Sequence, residues 1–147
     1  MADQLITGTT LIEDRRSERG EVWSCAGVNF MSQRDDQVDR DGSDSAYGNV
    51  QCGTTGGTFF TAQVNIPNGS KIIGVVVYGS ESDESYTLHR ITMSDSAIST
   101  MATANMNTED TTITSDVVDN SNYAYMIRTS TLDPDDKIYR ARIRYEF

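Results

Sequence analysis

The last eleven residues, Lys137-Ile-Tyr-Arg-Ala-Arg-Ile-Arg-Tyr-Glu-Phe147, decide the fold class of this chain. Every second residue from Tyr139 onward is apolar or aromatic, and the residues between them are three arginines and a glutamate. Successive side chains of a strand point to opposite sides of the sheet, so this alternation predicts a β-strand. We expect a second layer of structure to cover its apolar face, which consists of Tyr139, Ala141, Ile143, Tyr145 and Phe147.

Length and composition indicate one domain built from strands. The 147 residues suffice for one well-buried domain and are few for two. Long runs of Leu, Ala, Glu and Lys, the usual helix formers, are absent. About eight alternating segments are separated by polar turns such as Pro67-Asn68-Gly69-Ser70. We therefore predict an all-β protein, with a single antiparallel, jelly-roll-like β-sandwich over residues 21–147.

The segment 1–20 is predicted to be an N-terminal arm. It contains two apolar pairs, Leu5 with Ile6 and Leu11 with Ile12, followed by a charged run. A frayed terminus is one interpretation of such a segment. We favour the other, in which the arm docks on a neighbouring subunit and the apolar pairs are its anchors.

The second face of the last strand is a basic stripe in an otherwise acidic chain. Its members are Arg140, Arg142 and Arg144, which are too costly to bury unpaired. They are expected either to pair with acidic residues on adjacent strands or to contact the acidic surface of another subunit or partner.

The net charge of −10 and the sequence pI of about 4.4 argue against nucleic-acid binding, which needs a basic surface. Fifteen of the 22 acidic residues are Asp, and ten arginines stand against two lysines. Such a surface is typical of halophilic proteins, where carboxylates hold water and salt screens their repulsion. An ordinary acidic β protein with Asp in its turns explains the composition equally well.

The polar segment 32–49 reads as a long loop with candidate calcium ligands. A Q-x-D-x-D-G pattern beginning at Gln37 approximates the start of a calcium loop, whose oxygen ligands occupy alternate positions. The match fails at its first position and at its twelfth, Gly48. We favour a solvated or subunit-contacting loop and expect no cofactor. The alternative is a looser calcium site formed by Asp39, Asp41 and Asp44.

Cys25 and Cys52, the two cysteines, flank this loop. A disulfide between them would close a loop for which about 3 kcal/mol of stabilisation is typical, and an extracellular location would permit it. The other interpretation, slightly favoured, is two buried thiols that pack as small apolar groups. Two cysteines without a nearby histidine offer too few ligands for a metal site.

Catalytic chemistry is not indicated. His89 is the only histidine, so a Ser-His-Asp or Cys-His arrangement would have to include it. The chain has no Gly-x-Ser-x-Gly motif, and no acidic residue stands in an apolar stretch that would raise its pKa. We predict that the protein is not an enzyme.

The sequence also shows no recognisable targeting signal. The start, Met1-Ala-Asp-Gln, has neither a basic nor an apolar signal region, and no apolar run is long enough to span a membrane. We expect no signal peptide and no membrane partner. The chain would stay in the cytoplasm or leave inside a virus particle released by lysis.

From about residue 64 to 147 the chain resembles β-sandwich modules that recur in surface and structural proteins of bacteria, archaea and their tailed viruses. The turn Val118-Asp-Asn-Ser-Asn-Tyr123 is the most specific part of the resemblance. It is accompanied by Ile66-Pro-Asn-Gly69, Ile73-Gly-Val-Val-Val-Tyr78, Tyr86-Thr-Leu-His-Arg90 and Ile138-Tyr-Arg-Ala-Arg-Ile-Arg-Tyr145. The resemblance implies a structural or adhesive role without shared catalytic residues.

These observations predict a non-enzymatic virion structural protein, such as a capsid decoration, turret or fibre component. It would assemble as a symmetric homo-oligomer and contact other virion or surface proteins. The alternative is a carbohydrate-binding or adhesive surface module with glycans as partners.

Overall fold

The structure is a computed structural model that describes residues 20–33, 48–53 and 57–147, together with the backbone of residues 38–39. These residues form ten β-strands, a 3₁₀ turn at Gly27–Asn29 and no α-helix, which confirms the predicted all-β class. None of the described residues belongs to a helix long and apolar enough to cross a membrane. The strands are β1 Glu21–Ala26, β2 Met31–Ser32, β3 Val38–Asp39, β4 Val50–Cys52, β5 Phe60–Val64, β6 Lys71–Gly79, β7 Ser85–Thr92, β8 Ile98–Asn105, β9 Tyr123–Thr129 and β10 Lys137–Glu146.

The strands form two antiparallel sheets of five strands each. In the first sheet, β10 pairs with β6 along one edge. Along its other edge it pairs first with β4, at Lys137 and Ile138, and then with β1, from Arg140 to Tyr145. The short strand β3 pairs with β4. The second sheet has the order β2-β5-β9-β7-β8.

The apolar core lies between the two sheets, as a sandwich requires. Both sheets contribute side chains with no exposed surface, since alternate positions of each strand face inward. The first sheet supplies Val75, Val77, Ile138, Ala141 and Ile143, and the second supplies Phe60, Tyr86, Leu88 and Ile127.

The strict alternation predicted for the last strand is wrong near the start of the strand, at Tyr139, and at the chain end, at Phe147. A register shift between Ile138 and Arg140 forms a β-bulge. Ile138 and Ala141 are both buried, while Tyr139 and Arg140 both point outward, because a bulge places one extra residue on the strand. Tyr139 is 45% exposed and Phe147 is 75% exposed, so neither belongs to the core.

Two other segments differ from expectation. The predicted loop 32–49 contains the short strand β3. The sequence between residues 97 and 118 is consistent with two short strands or with a helical turn at 101–106, whereas the structure has one strand, β8, followed by an irregular segment. That segment leaves the second sheet and bridges β6 at two points, Asp110 with Val75 and Val117 with Lys71. Its role is to close one side of the sandwich.

The turn on which the family resemblance chiefly rests is a structural device. The Asp119 carboxylate accepts hydrogen bonds from the Ser121 backbone N–H at 3.0 Å and from the Asn122 side chain at 2.7 Å. Donation by the Asn122 amide is the main reason that the pKa of Asp119 is below its ordinary value. The Asn120 side chain donates to the Ile66 carbonyl at 2.9 Å, which ties this turn to the one after β5.

Tyr86 fixes the irregular segment to the core. Its side chain is fully buried, and its hydroxyl lies 2.7 Å from the Val75 carbonyl oxygen and 2.6 Å from that of Thr108. Burial raises the pKa of the phenol far above its ordinary value, so it remains a hydrogen-bond donor at any ordinary pH.

The substitution Tyr86→Phe is expected to reduce the free energy of unfolding by about 1–2 kcal/mol, because it removes a donor from a buried carbonyl. Chemical denaturation measures this change. The matched control is Tyr145→Phe, whose hydroxyl has no hydrogen-bond partner in the described residues and whose loss should change stability little. Equal stability of the two variants would contradict the role given to the Tyr86 hydroxyl.

Candidate functional site

The candidate site is a cleft of about 570 Å³ on the outer face of the first sheet. It lies where the end of β1 meets the start of β10, and the residues before β4 form its remaining wall. The lining residues are Val22, Ser24, Cys25 and Ala26 of β1, Gly48 and Asn49, and Tyr139, Arg140 and Arg142 of β10.

The β10 bulge shapes the cleft. It turns Tyr139 and Arg140 outward side by side, while Arg142 follows on the same face two residues later. The 3₁₀ turn after β1 packs directly on this bulge, and only a glycine fits there. A Cβ atom on Gly27 would overlap the carbonyl oxygen of Ile138. The Val28 backbone N–H donates to the Gly48 carbonyl at 2.9 Å. This hydrogen bond fixes the segment before β4, which forms the third wall of the cleft.

Two enclosed polar atoms of the cleft residues have no hydrogen-bond partner among the described residues. One is Oδ1 of Asn49, a residue that is only 6% exposed. The other is Arg142 Nε. Buried polar groups are nearly always paired, because an unpaired one costs about 1–3 kcal/mol. The described part of the chain has six such atoms, and two of them, an acceptor and a donor, belong to residues that line the cleft.

The arginine stripe divides into two parts. Arg144 donates from Nε to Glu109 Oε1 at 2.6 Å, and this carboxylate comes from the irregular segment after β8 and not from an adjacent strand. Arg140 and Arg142 instead lie over the ring of Tyr78, with guanidinium carbons 4.9 and 5.8 Å from its centre. Among the described residues, no carboxylate pairs with these two arginines of the cleft.

The other predicted sites are not brought to this cleft. Among the candidate calcium ligands, Asp41 and Asp44 lie outside the described residues, and only the backbone of Asp39 is described. The arm residues Leu5, Ile6, Leu11 and Ile12 also lie outside them. The calcium loop and the subunit-docking arm stay predictions.

Cys25 and Cys52 are both free thiols in the structure, so the disulfide that was considered as one of two interpretations is not formed. Cys25 pairs with Ala141, whereas the Cys52 backbone N–H donates to the Asp136 carbonyl. Both cysteines therefore lie along the same edge of β10, separated by five residues or about 16 Å. A disulfide needs Cα atoms about 4.4–6.8 Å apart.

His89 lies on β7 in the other sheet, opposite Met126. Burial lowers the pKa of its imidazole and outweighs a backbone contact with Ser99 that favours the protonated form. The charge of Arg128 lowers the pKa further. His89 is not among the residues that line the cleft.

Comparisons with known proteins show the fold. No protein-family model matches the sequence, and no curated protein matches it. The C-terminal family 6 carbohydrate-binding module (CBM6) of LamC, a marine laminarinase from Zobellia galactanivorans, is similar in structure, with a TM-score of 0.50 and 12% identity. The match covers 84% of this chain and 99% of that module. The chain thus has the β-sandwich fold seen in that module.

Two further solved structures show a weaker similarity to this chain. The carbohydrate-binding module CBM6cm-2 of Cellvibrio mixtus lichenase 5A, solved with cellotriose, has a TM-score of 0.43 and 16% identity, over 83% of this chain and 95% of that one. A family two carbohydrate esterase from Cellvibrio japonicus has a TM-score of 0.42 and 7% identity, over 87% of this chain and 34% of that one.

The thiol state gives a direct test. When the protein is unfolded in guanidinium without reductant, we expect two reactive thiols per chain to become exposed. In the folded protein Cys52 should react far more slowly than in the unfolded one, since it is fully buried and burial raises the pKa of its thiol. Maleimide labelling with mass spectrometry measures both states, and Cys25→Ser identifies the site. A single mass two hydrogens lower, with no labelling after unfolding, would contradict this.

Proposed function

We propose that the protein is a non-catalytic, glycan-binding β-sandwich module and that the cleft on the first sheet is its binding site. The observation that carries this proposal is the cleft itself, where Arg140 and Arg142, without a carboxylate partner among the described residues, lie beside the exposed Tyr139 side chain. The guanidinium N–H groups of the two arginines can donate hydrogen bonds to sugar oxygens. The apolar face of a sugar ring can pack on the tyrosine, and a ligand site typically combines an apolar surface with a few placed polar groups.

The charge of the cleft favours an acidic saccharide. Arg140 and Arg142 have no carboxylate partner in the described residues although the whole chain carries a net charge of −10. A guanidinium group binds a carboxylate through two parallel hydrogen bonds, with geometry that a lysine does not reproduce. A uronate-bearing glycan therefore fits this cleft better than a neutral one.

The β-sandwich fold shared with a carbohydrate-binding module agrees with this function but does not identify a ligand. Assembly into a virion stays a prediction, because no described feature and no comparison points to it. The same holds for the predicted homo-oligomer.

Affinity electrophoresis in gels containing soluble polysaccharides tests the proposal. We expect retardation by a uronate-rich polymer such as alginate or pectate, with weaker retardation by a neutral β-glucan. Arg142→Ala should weaken binding at least tenfold, since it removes a charge and the guanidinium donors of the cleft. Arg142→Lys should retain only part of the affinity.

Arg128→Ala is the matched control. Arg128 also lies over an aromatic ring, that of Phe59 at 3.9 Å, but on the second sheet. This variant should bind the glycan as the wild-type protein does. Failure of the wild-type protein to bind any acidic or neutral glycan would overturn the proposal, and so would an equal loss in Arg128→Ala and Arg142→Ala.

A further inference from the structure

A group of acidic side chains lies at one end of the sandwich, apart from the cleft lining. Asp83 and Glu84 come from the loop between β6 and β7, and Asp133 comes from the loop between β9 and β10. One carboxylate oxygen from each lies within 4.8 Å of the other two. Each of the two loops connects a strand of one sheet to a strand of the other, so the cluster joins the two layers.

Glu84 distinguishes this cluster from an ordinary acidic surface. It is only 6% exposed, and its Oε2 is enclosed with no hydrogen-bond partner among the described residues. Burial is the main cause that raises the pKa of its carboxyl, and together with the neighbouring carboxyls of Asp136 and Asp83 it brings the pKa to about 8. A buried carboxylate that faces other carboxylates is unfavourable unless a proton or a cation compensates it.

We propose that Asp83, Glu84 and Asp133 bind a calcium ion. Calcium–oxygen distances are about 2.3–2.6 Å, so two oxygens on opposite sides of one ion lie roughly 4.8 Å apart. The three oxygens are no farther apart than that, and one ion can therefore contact all of them. Glu84 Oε2 would gain the partner that the protein does not provide.

The chemistry of the ligands selects the metal. All three are carboxylates, and hard oxygen ligands suit calcium, whereas zinc favours nitrogen and sulfur. Three carboxylates on two different loops form an irregular set. Calcium accepts irregular coordination, while magnesium requires near-octahedral geometry at shorter distances.

The two loops are already held in place by other bonds. The Asn107 side chain accepts from the Gly79 backbone N–H at 3.0 Å and donates to Ser82 Oγ at 2.9 Å, just before the first two ligands. On the other loop, the Asp133 backbone N–H donates to the Asp136 carboxylate at 3.1 Å. A site formed on prearranged loops requires little ordering when the ion binds, so the ion acts as a structural clamp.

Isothermal titration of the metal-free protein with calcium chloride tests the proposal. We expect one ion per chain, with a dissociation constant of about 1 mM or tighter, as in extracellular calcium modules. Calcium should also raise the melting temperature. Glu84→Gln and Asp133→Asn, which preserve side-chain shape, should each weaken binding at least tenfold. Glu81→Gln, a change of an exposed acid in the same loop, should leave binding unchanged.

Circular dichroism of Glu84→Gln separates lost binding from lost folding, because the neutral amide removes carboxylate repulsion and the variant should fold without calcium. The proposal fails if the wild-type protein gives neither heat nor a melting shift in about 10 mM calcium chloride. It also fails if magnesium binds and calcium does not, or if Glu84→Gln folds and binds calcium as the wild-type protein does.

Discussion

The structure depends on the pairing of β10 along both of its edges. One edge hydrogen-bonds to β6 over nearly its whole length, and the other is shared by β4 and β1. Because backbone groups in a central strand have no access to water, they must all find partners in neighbouring strands. The strand contributes three fully buried side chains, Ile138, Ala141 and Ile143, to the core. A change in its register would therefore disturb three strand pairs and one wall of the core together.

The bulge near the start of β10 converts this scaffold into a candidate binding surface. A regular strand would place Tyr139 in the core and Ile138 outside with the arginines. The bulge instead keeps Ile138 in the core and exposes the tyrosine beside Arg140. Bulges are common next to functional sites because they redirect side chains without breaking the sheet. The close contact of Gly27 with the Ile138 carbonyl fixes the bulge from above, so the cleft shape follows from the backbone itself.

The limits of sequence-based prediction follow from the same features. The all-β class could be predicted because inward and outward residues alternate along most strands, as in the strand from Phe60 to Val64. The bulge could not, since Ile138 and Tyr139 are both apolar enough for the core and only the tertiary pairing decides between them. Asn49 carried no signal, because its burial depends on the 3₁₀ turn packed against it. The acidic cluster was equally hidden, since its members are about 50 residues apart in sequence.

One proposed site lies on β10 and the other includes the loop that leads into β10, so the distance between them decides how they can influence each other. Asp136, next to the acidic cluster, precedes Arg140 of the cleft by four residues, which is about 13 Å along an extended strand. The Debye length at physiological ionic strength is about 8 Å, so direct attraction between exposed charges of the two sites, such as Asp133 and Arg140, is largely screened. Backbone hydrogen bonds also connect the two sites. The Asp136 carbonyl accepts the Cys52 backbone N–H at 2.8 Å, and β4 follows directly on Asn49. A cation that fixes the loop before β10 would therefore act on the cleft by holding its backbone, while the arginines determine which ligands it attracts.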